Sequence, residues 1–256
     1  MRRRLLVTGG CGFLGSRVAR QGAAAGWQVV ATSRRTDGVD ITRPDDVRRL
    51  LQDLAPHAVV HTAYDKDVDA VTVGGSAALA AASAEVGARL VHVSSDVVFS
   101  GAAARPYVEA DRPDPVNDYG RAKAEAERVV QVAHPNVVVV RTSLLLGGPE
   151  EPGVHEVHAT QEGARFWSDA VRCPVMADDV AAALLELVDG SVCGPLHVAG
   201  PQALSRVELA GLVGDRPVRG EPAPPGQPLD VRLDSSAARG LLRTRLRGPR
   251  EVWGSA

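Results

Sequence analysis

The sequence predicts an α/β fold, a doubly wound parallel sheet covered by helices on both faces, and three observations predict it. The apolar run Leu5-Leu6-Val7 leads straight into the glycine-rich stretch Thr8-Gly9-Gly10-Cys11-Gly12-Phe13-Leu14-Gly15-Ser16. Strand-like and helix-like segments then alternate along the chain. The strand-like segments are continuously apolar, as strands buried on both faces are, and do not alternate with polar residues.

The first strand, turn and helix form a phosphate cradle. Gly9 permits a tight turn, Gly12 lets the backbone approach a pyrophosphate, and Gly15 lets the helix lie close on the sheet. The helix N-terminus turns its N–H groups toward the anion. Glycines at this spacing also make plain β-turns, but Val18 and Ala19 continue a helical pattern and a second strand follows at Gln28-Val29-Val30-Ala31-Thr32. Pro44-Asp45-Asp46-Val47 opens a helix that ends before Pro56, and Ala58-Val59-Val60-His61-Thr62 is the third strand. Residues 66–87 read as an alanine-rich helix and Arg89-Leu90-Val91-His92-Val93-Ser94-Ser95 as the fourth strand. A helix from Asn117 to about Val132 and a strand Val137-Val138-Val139-Val140 follow. Gly147 to Gly153 is a loop, and nothing from there to Phe166 declares an element. One more helix runs from Asp178 to about Val188, with Asp178 or Asp179 as its cap. The last sixty residues are rich in Pro and Gly and are expected to pack over the carboxyl ends of the strands, where open α/β sheets bind their ligands.

At 256 residues and 45% hydrophobic, the chain can bury a substantial core in one large domain, or in one domain with a smaller lobe. A net charge of −2 gives no reason to expect nucleic acid or an anionic membrane as partner. Arg2-Arg3-Arg4 resembles the start of a signal peptide, yet the apolar run behind it stops at the glycines, so a cytoplasmic location is expected. Cys11, Cys173 and Cys193 form no Cys-x-x-Cys pair, and His155 and His158, three apart, read as surface residues, so no disulfide framework and no metal is assigned.

Chemistry is carried by Tyr119-Gly120-Arg121-Ala122-Lys123 and by Ser95. Residues four apart share one face of a helix, so the Tyr119 hydroxyl and Lys123 ammonium can serve one site, and a nearby cation favours phenolate. Ser95 ends a strand on the nucleotide edge of the sheet, where its hydroxyl could hydrogen-bond a carbonyl oxygen. At the end of the second strand, where NAD-selecting chains place Asp or Glu, stand Thr32-Ser33 and then Arg34-Arg35. Hydroxyl and guanidinium groups suit a 2′-phosphate, so NADP(H) is favoured over NAD(H).

Together, Thr8-Gly9-x-x-Gly12-x-x-Gly15, Ser95 and Tyr119-x-x-x-Lys123 resemble the short-chain dehydrogenase/reductase superfamily. The segment Val93 to Gly101, with Pro106-Tyr107-x-Glu109-x-Asp111, Pro115-Val116-Asn117, Arg141-Thr142-Ser143 and Arg172-x-Pro174, resembles its extended, sugar nucleotide-binding branch, typified by dTDP-4-dehydrorhamnose reductase. The resemblance implies a Rossmann-like sheet with a small C-terminal substrate-binding lobe. Residues 1–145, completed by 170–200, would bind NADP, and 146–169 with 201–256 would form the lobe. It implies a ketone reductase in which hydride comes from the reduced nicotinamide, Tyr119 protonates the carbonyl oxygen, Lys123 tunes it and holds the nicotinamide ribose, and Ser95 orients the carbonyl. Gly9, Gly12, Phe13 and Leu14 would meet the pyrophosphate, Ser33, Arg34 and Arg35 the 2′-phosphate, Asp40 and Ile41 the adenine, and Thr62, Ala63 and Tyr64 the pyrophosphate side.

The substrate would be a small-molecule ketone, a dTDP-4-keto-6-deoxysugar or a keto intermediate of a specialised pathway. Ser95, Asp96, Phe166, Trp167 and Arg172 are the substrate-binding candidates, although Phe166, Trp167 and Arg172 also read as core and surface residues, and Asp96 also reads as the cap of the following turn. A sugar dehydratase needs Asp followed by Glu, and here Asp96 is followed by Val97. A non-catalytic NADP-binding regulatory subunit and a nucleotide-sugar epimerase are the alternatives; an epimerase would hold NAD, against which the arginines speak. A homodimer is compatible with all of these.

Overall fold

The computed structural model describes residues 3–34, 39–65, 69–214 and 218–254. In chain order the elements begin with β1 (Arg4–Thr8), α1 (Phe13–Ala24), β2 (Gln28–Thr32), α2 (Pro44–Leu54) and β3 (Ala58–His61). A π-helical turn, Ala70–Gly75, runs into α3 (Ser76–Glu85), followed by β4 (Arg89–Ser95), a 3-10 turn at Asp96–Val98, and α4 (Asp118–Ala133). Next come β5 (Val138–Thr142), β6 (Leu145–Leu146), α5 (Val154–Thr160), β7 (Arg165–Trp167), β8 (Val171–Arg172) and β9 (Val175–Met176). The chain continues through α6 (Ala177–Asp189), β10 (Gly194–Val198), β11 (Leu204–Ser205), α7 (Arg206–Gly214), β12 (Arg219–Glu221), α8 (Ser236–Leu241) and α9 (Pro249–Trp253).

Six strands form the central sheet in the order β2-β1-β3-β4-β5-β10. Leu5 pairs with Val29 on one side and Ala58 on the other, and Val59 pairs with Leu90, all in parallel register. Every residue of β3 and β5 is buried, which requires helices over both faces and gives the doubly wound sheet the apolar runs predict. Leu6, Val59, Leu79, Leu90, Val130 and Val139 belong to one core cluster, and each such side chain contributes about 1.5–3 kcal/mol by leaving water. Because β2 lies on one side of β1 and β3 on the other, the winding reverses beside β1, and the carboxyl ends of β1 and β3 flank that switch point.

The chain divides into two compact units: Met1–Ser94 with Arg121–Val140 and Ala181–Pro195, and Ser95–Gly120 with Arg141–Val180 and Leu196–Ala256. Residues 95–120, 141–145, 170–180 and 196–200, assigned from the sequence to the cofactor domain, cluster with the second unit. Two of the breaks fall near the carboxyl ends of β4 and β5, and the others fall within α4, α6 and β10.

The second unit holds three short ladders, β6 with β9, β7 with β12 and β8 with β11. It also holds elements that the sequence left unassigned. α5 and β7 fill the stretch before Phe166, and α5 is inverted: Val154 and Val157 face solvent while Glu156 is buried. The Glu156 carboxylate accepts from the backbone N–H groups of Gly147, Gly148 and Gly153, closing the glycine-rich loop onto the helix. At α6, Asp178 and Asp179 sit inside the first turn and are not its cap. The Asp179 carboxylate instead accepts from Arg247, through its backbone N–H at 2.8 Å and its guanidinium at 2.7 Å. No helix among the described residues is long and apolar enough to cross a membrane.

Candidate functional site

In the first unit the site starts where β1 ends. Gly12 is the N-cap of α1 in extended conformation, and the first turn of α1 carries no acidic side chain, so the helix N-terminus is left for an external anion. A Cβ at Gly15 would stand 2.2 Å from the Gly9 carbonyl oxygen and 2.8 Å from Thr62 Oγ1. Gly15 therefore lets α1 lie on the phosphate loop and on the end of β3, a tighter seat than the sheet contact expected from the spacing. Thr62 Oγ1 donates to the Thr8 carbonyl at 2.7 Å and ties the two strand ends together.

Gly9, Gly12, Ser33, Arg34, Asp40, Ile41, Thr62, Ala63 and Tyr64 all line one cleft of about 390 Å³ at this switch point. Of the other expected cofactor residues, Leu14 is buried and Phe13 half-buried with the Arg17 guanidinium 4.0 Å above its ring, and Arg35 lies outside the described residues. The Asp40 carboxylate accepts from the Thr42 hydroxyl at 2.7 Å and the Thr42 N–H at 3.0 Å. Those bonds, with Arg34 and Arg43 nearby, hold its pKa below the usual carboxylate range. Cys11 and Val71 also line the cleft. Reading Cys11 only for disulfides passed over its place inside the glycine loop, which was the available signal; its sulfur accepts from Ser33 Oγ at 3.3 Å.

Lys123 is buried in the seam between α4 and the sheet. Its Nζ donates to the Val93 carbonyl at 2.7 Å and lies 5.8 Å from the centre of the Tyr64 ring. Burial pulls its pKa down to about 8, against the upward pull of Glu127. Two buried imidazoles face it, His61 from β3 and His92 from β4, with ring centres 5.1 Å apart. His61 is held between Thr8 Oγ1 at 2.6 Å and Ser76 Oγ at 2.9 Å, and burial with the Lys123 charge drives its pKa down to about 3.

In the second unit, Ser95 and Tyr119 are both half-buried. A Cβ at Gly120 would stand 2.3 Å from the Val97 carbonyl oxygen, so a bare glycine seats the first turn of α4 against the turn that Ser95 begins. Ser95 Oγ accepts from Val97 N–H at 3.4 Å and donates to Asp96 Oδ1 at 3.1 Å. Ser95, not Asp96, is therefore the cap of this turn.

Three substrate-binding candidates prove to be engaged within the fold. Asp96 is 2% exposed and accepts from Ser143 Oγ at 2.6 Å; burial pushes its pKa up, and Arg172 at 3.9 Å pulls it back. The Arg172 guanidinium donates to the carbonyls of Val171, Leu229 and Pro228, pinning a segment 56–57 residues away. Phe166 packs in a core cluster with Ala159 and Ala210. Trp167 is half-buried. One cation that the sequence reading passed over is Arg206, at the start of α7. Its Nη2 donates to His155 Nδ1 at 3.3 Å, which makes His155 a half-buried neutral acceptor and not a surface residue. Burial and the nearby Arg172 draw the Arg206 pKa down to about 10. No local motif marks it.

The parallel sheet, its switch point and the bare glycine loop define the doubly wound, Rossmann-like class. The model of the RmlD substrate binding domain family matches residues 3–221, and the chain belongs to this family. It is 38% identical over 225 residues to dTDP-4-dehydrorhamnose reductase of Mycolicibacterium smegmatis, covering 82% of this chain and 68% of that protein. It is 29% identical over 271 residues to methionine adenosyltransferase 2 subunit beta of Rattus norvegicus, covering 91% of this chain and 81% of that one. The crystal structure of dTDP-4-dehydrorhamnose reductase from Bacillus anthracis in complex with NADP superposes with a TM-score of 0.87 at 24% identity, over 99% of this chain and 98% of that chain.

Proposed function

We propose that this protein is an NADPH-dependent ketoreductase acting on a nucleotide-linked 4-keto-6-deoxysugar. The observation that carries the proposal is a buried lysine of lowered pKa set four residues after a half-buried tyrosine on one helix. The cofactor supplies the hydride. The chain's own residues handle the proton and the orientation: Tyr119 gives its phenolic proton to the carbonyl oxygen, Lys123 favours the phenolate left behind, and the Ser95 hydroxyl orients the carbonyl. An ammonium has three donors, and with one taken by the Val93 carbonyl the others suit the nicotinamide ribose hydroxyls. Ser33 and Arg34 suit a 2′-phosphate, and the end of β2 carries Thr32-Ser33 where an NAD enzyme places Asp or Glu for the ribose 2′-hydroxyl. For the substrate diphosphate, Arg206 is the better cation in this reading, since Arg172 is engaged by backbone carbonyls. The mycobacterial relative named for reduction of dTDP-4-dehydrorhamnose supports the choice of substrate class.

A second reading follows from the likeness to methionine adenosyltransferase 2 subunit beta, which covers more of this chain than the reductase does. In that reading the protein binds NADP as a subunit of a larger enzyme. One experiment separates the two: purified protein is mixed with NADPH and dTDP-4-dehydrorhamnose, and cofactor oxidation is followed. A ketoreductase oxidises NADPH, and Tyr119→Phe lowers kcat by about 10²–10⁴-fold with the NADPH Kd unchanged. NADPH binding without oxidation, together with stable co-purification of a larger enzyme, would favour the subunit.

A further inference from the structure

Consecutive residues of β4 grip two residues of α4 that lie one helical turn apart. The Val93 carbonyl accepts from Lys123 Nζ at 2.7 Å, and Ser94 Oγ donates to Glu127 Oε1 at 2.5 Å. Both partners on α4 are buried, Lys123 at 4% exposure and Glu127 at 2%. Residues at i and i+4 of a helix lie on one face, so the carboxylate held by Ser94 sits one turn along α4 from the ammonium held by Val93 and acts on it through its charge. The other groups facing Lys123 are the Tyr64 ring, His61 from β3 and His92 from β4. Both imidazoles are buried with pKa values driven down, so they are neutral, and His92 has no hydrogen-bond partner on either ring nitrogen among the described residues. Of these groups only Glu127 carries the charge that can hold an ammonium in so dry a place.

We infer that Glu127, fixed by Ser94, is the positioning residue that keeps Lys123 charged and directed along α4. Its link to catalysis rests on the ketoreductase reading; its link to Lys123 does not. Without the carboxylate, Lys123 would shed its proton near neutrality, and Tyr119 would lose the cation that makes it a usable acid.

The test exploits the scarcity of lysine, for the chain holds only Lys66 and Lys123. Protein labelled with [ε-¹³C]lysine gives two side-chain resonances, assigned with Lys66→Arg, and the Lys123 titration midpoint is read directly. Glu127→Gln keeps the acceptor for Ser94 and removes only the charge. The expected result is a midpoint lower by about one unit or more, with Glu127→Asp restoring most of it. The fall of kcat/KM with rising pH should move down by the same interval. An unmoved Lys123 midpoint in Glu127→Gln overturns the inference, as does a shifted midpoint that the pH profile ignores. If the wild type reduces no keto sugar nucleotide, the ketoreductase reading fails, while the lysine titration still decides what Glu127 does.

Discussion

Gly15 shows how closely this molecule is fitted at single positions. With the Gly9 carbonyl 2.2 Å from where a Cβ would be, Gly15→Ala must lift α1 off the phosphate loop. We expect about 1–3 kcal/mol of lost stability by chemical denaturation and a weaker NADPH Kd in a titration. Unchanged affinity would mean that the loop does not hold the cofactor. The glycine was legible from its spacing, although the backbone it touches was not. The same divide runs through the candidate substrate residues. Arg172 stood out in its Arg-x-Pro setting, but its acceptors are carbonyls of Pro228 and Leu229, and no reading of neighbours in sequence reaches that far. Lys123 and Tyr119 were legible because helical geometry alone relates them. The low-pKa setting of Lys123 was not, since it comes from burial of the side chain against β4, which no local pattern announces.

At the level of elements, the buried strands were the most readable, because a strand covered on both faces must be apolar throughout. α5 was unreadable for the opposite reason. Its valines face water and its glutamate is inside, satisfying three backbone N–H groups, so no hydrophobic period marks it. α6 was found, but the role of its acidic start was misjudged: Asp179 fastens Arg247, just before α9. Asp179→Ala removes the acceptor of a backbone N–H and of a guanidinium together. It should lower stability by about 2 kcal/mol and expose the chain near residue 247 to limited proteolysis. A variant with wild-type melting and cleavage would show that the latch contributes nothing.

For the whole molecule, buried neutral histidines set the acid limit. His61, His92 and His155 all have pKa values lowered by burial, to about 3 for His61 and about 4 for His155. Unfolded, each takes up a proton near its usual value of about 6.5, so below that pH the unfolded chain binds more protons than the folded one. Stability should fall as pH drops from about 6.5 toward 4, by about 1.4 kcal/mol per pH unit for each fully protonated imidazole in the unfolded state. Denaturant midpoints at pH 7, 6 and 5 test this, and a flat profile over that range would refute it. The second unit has a further consequence for anyone trimming the protein. The family model's match ends at residue 221, but two of the three carbonyls that receive the Arg172 guanidinium lie at 228 and 229, and the partner of Asp179 lies at 247. An excised 3–221 piece would carry a desolvated cation with two of its three carbonyl acceptors cut away, so the end of the matched family domain is not a border at which the chain can be severed.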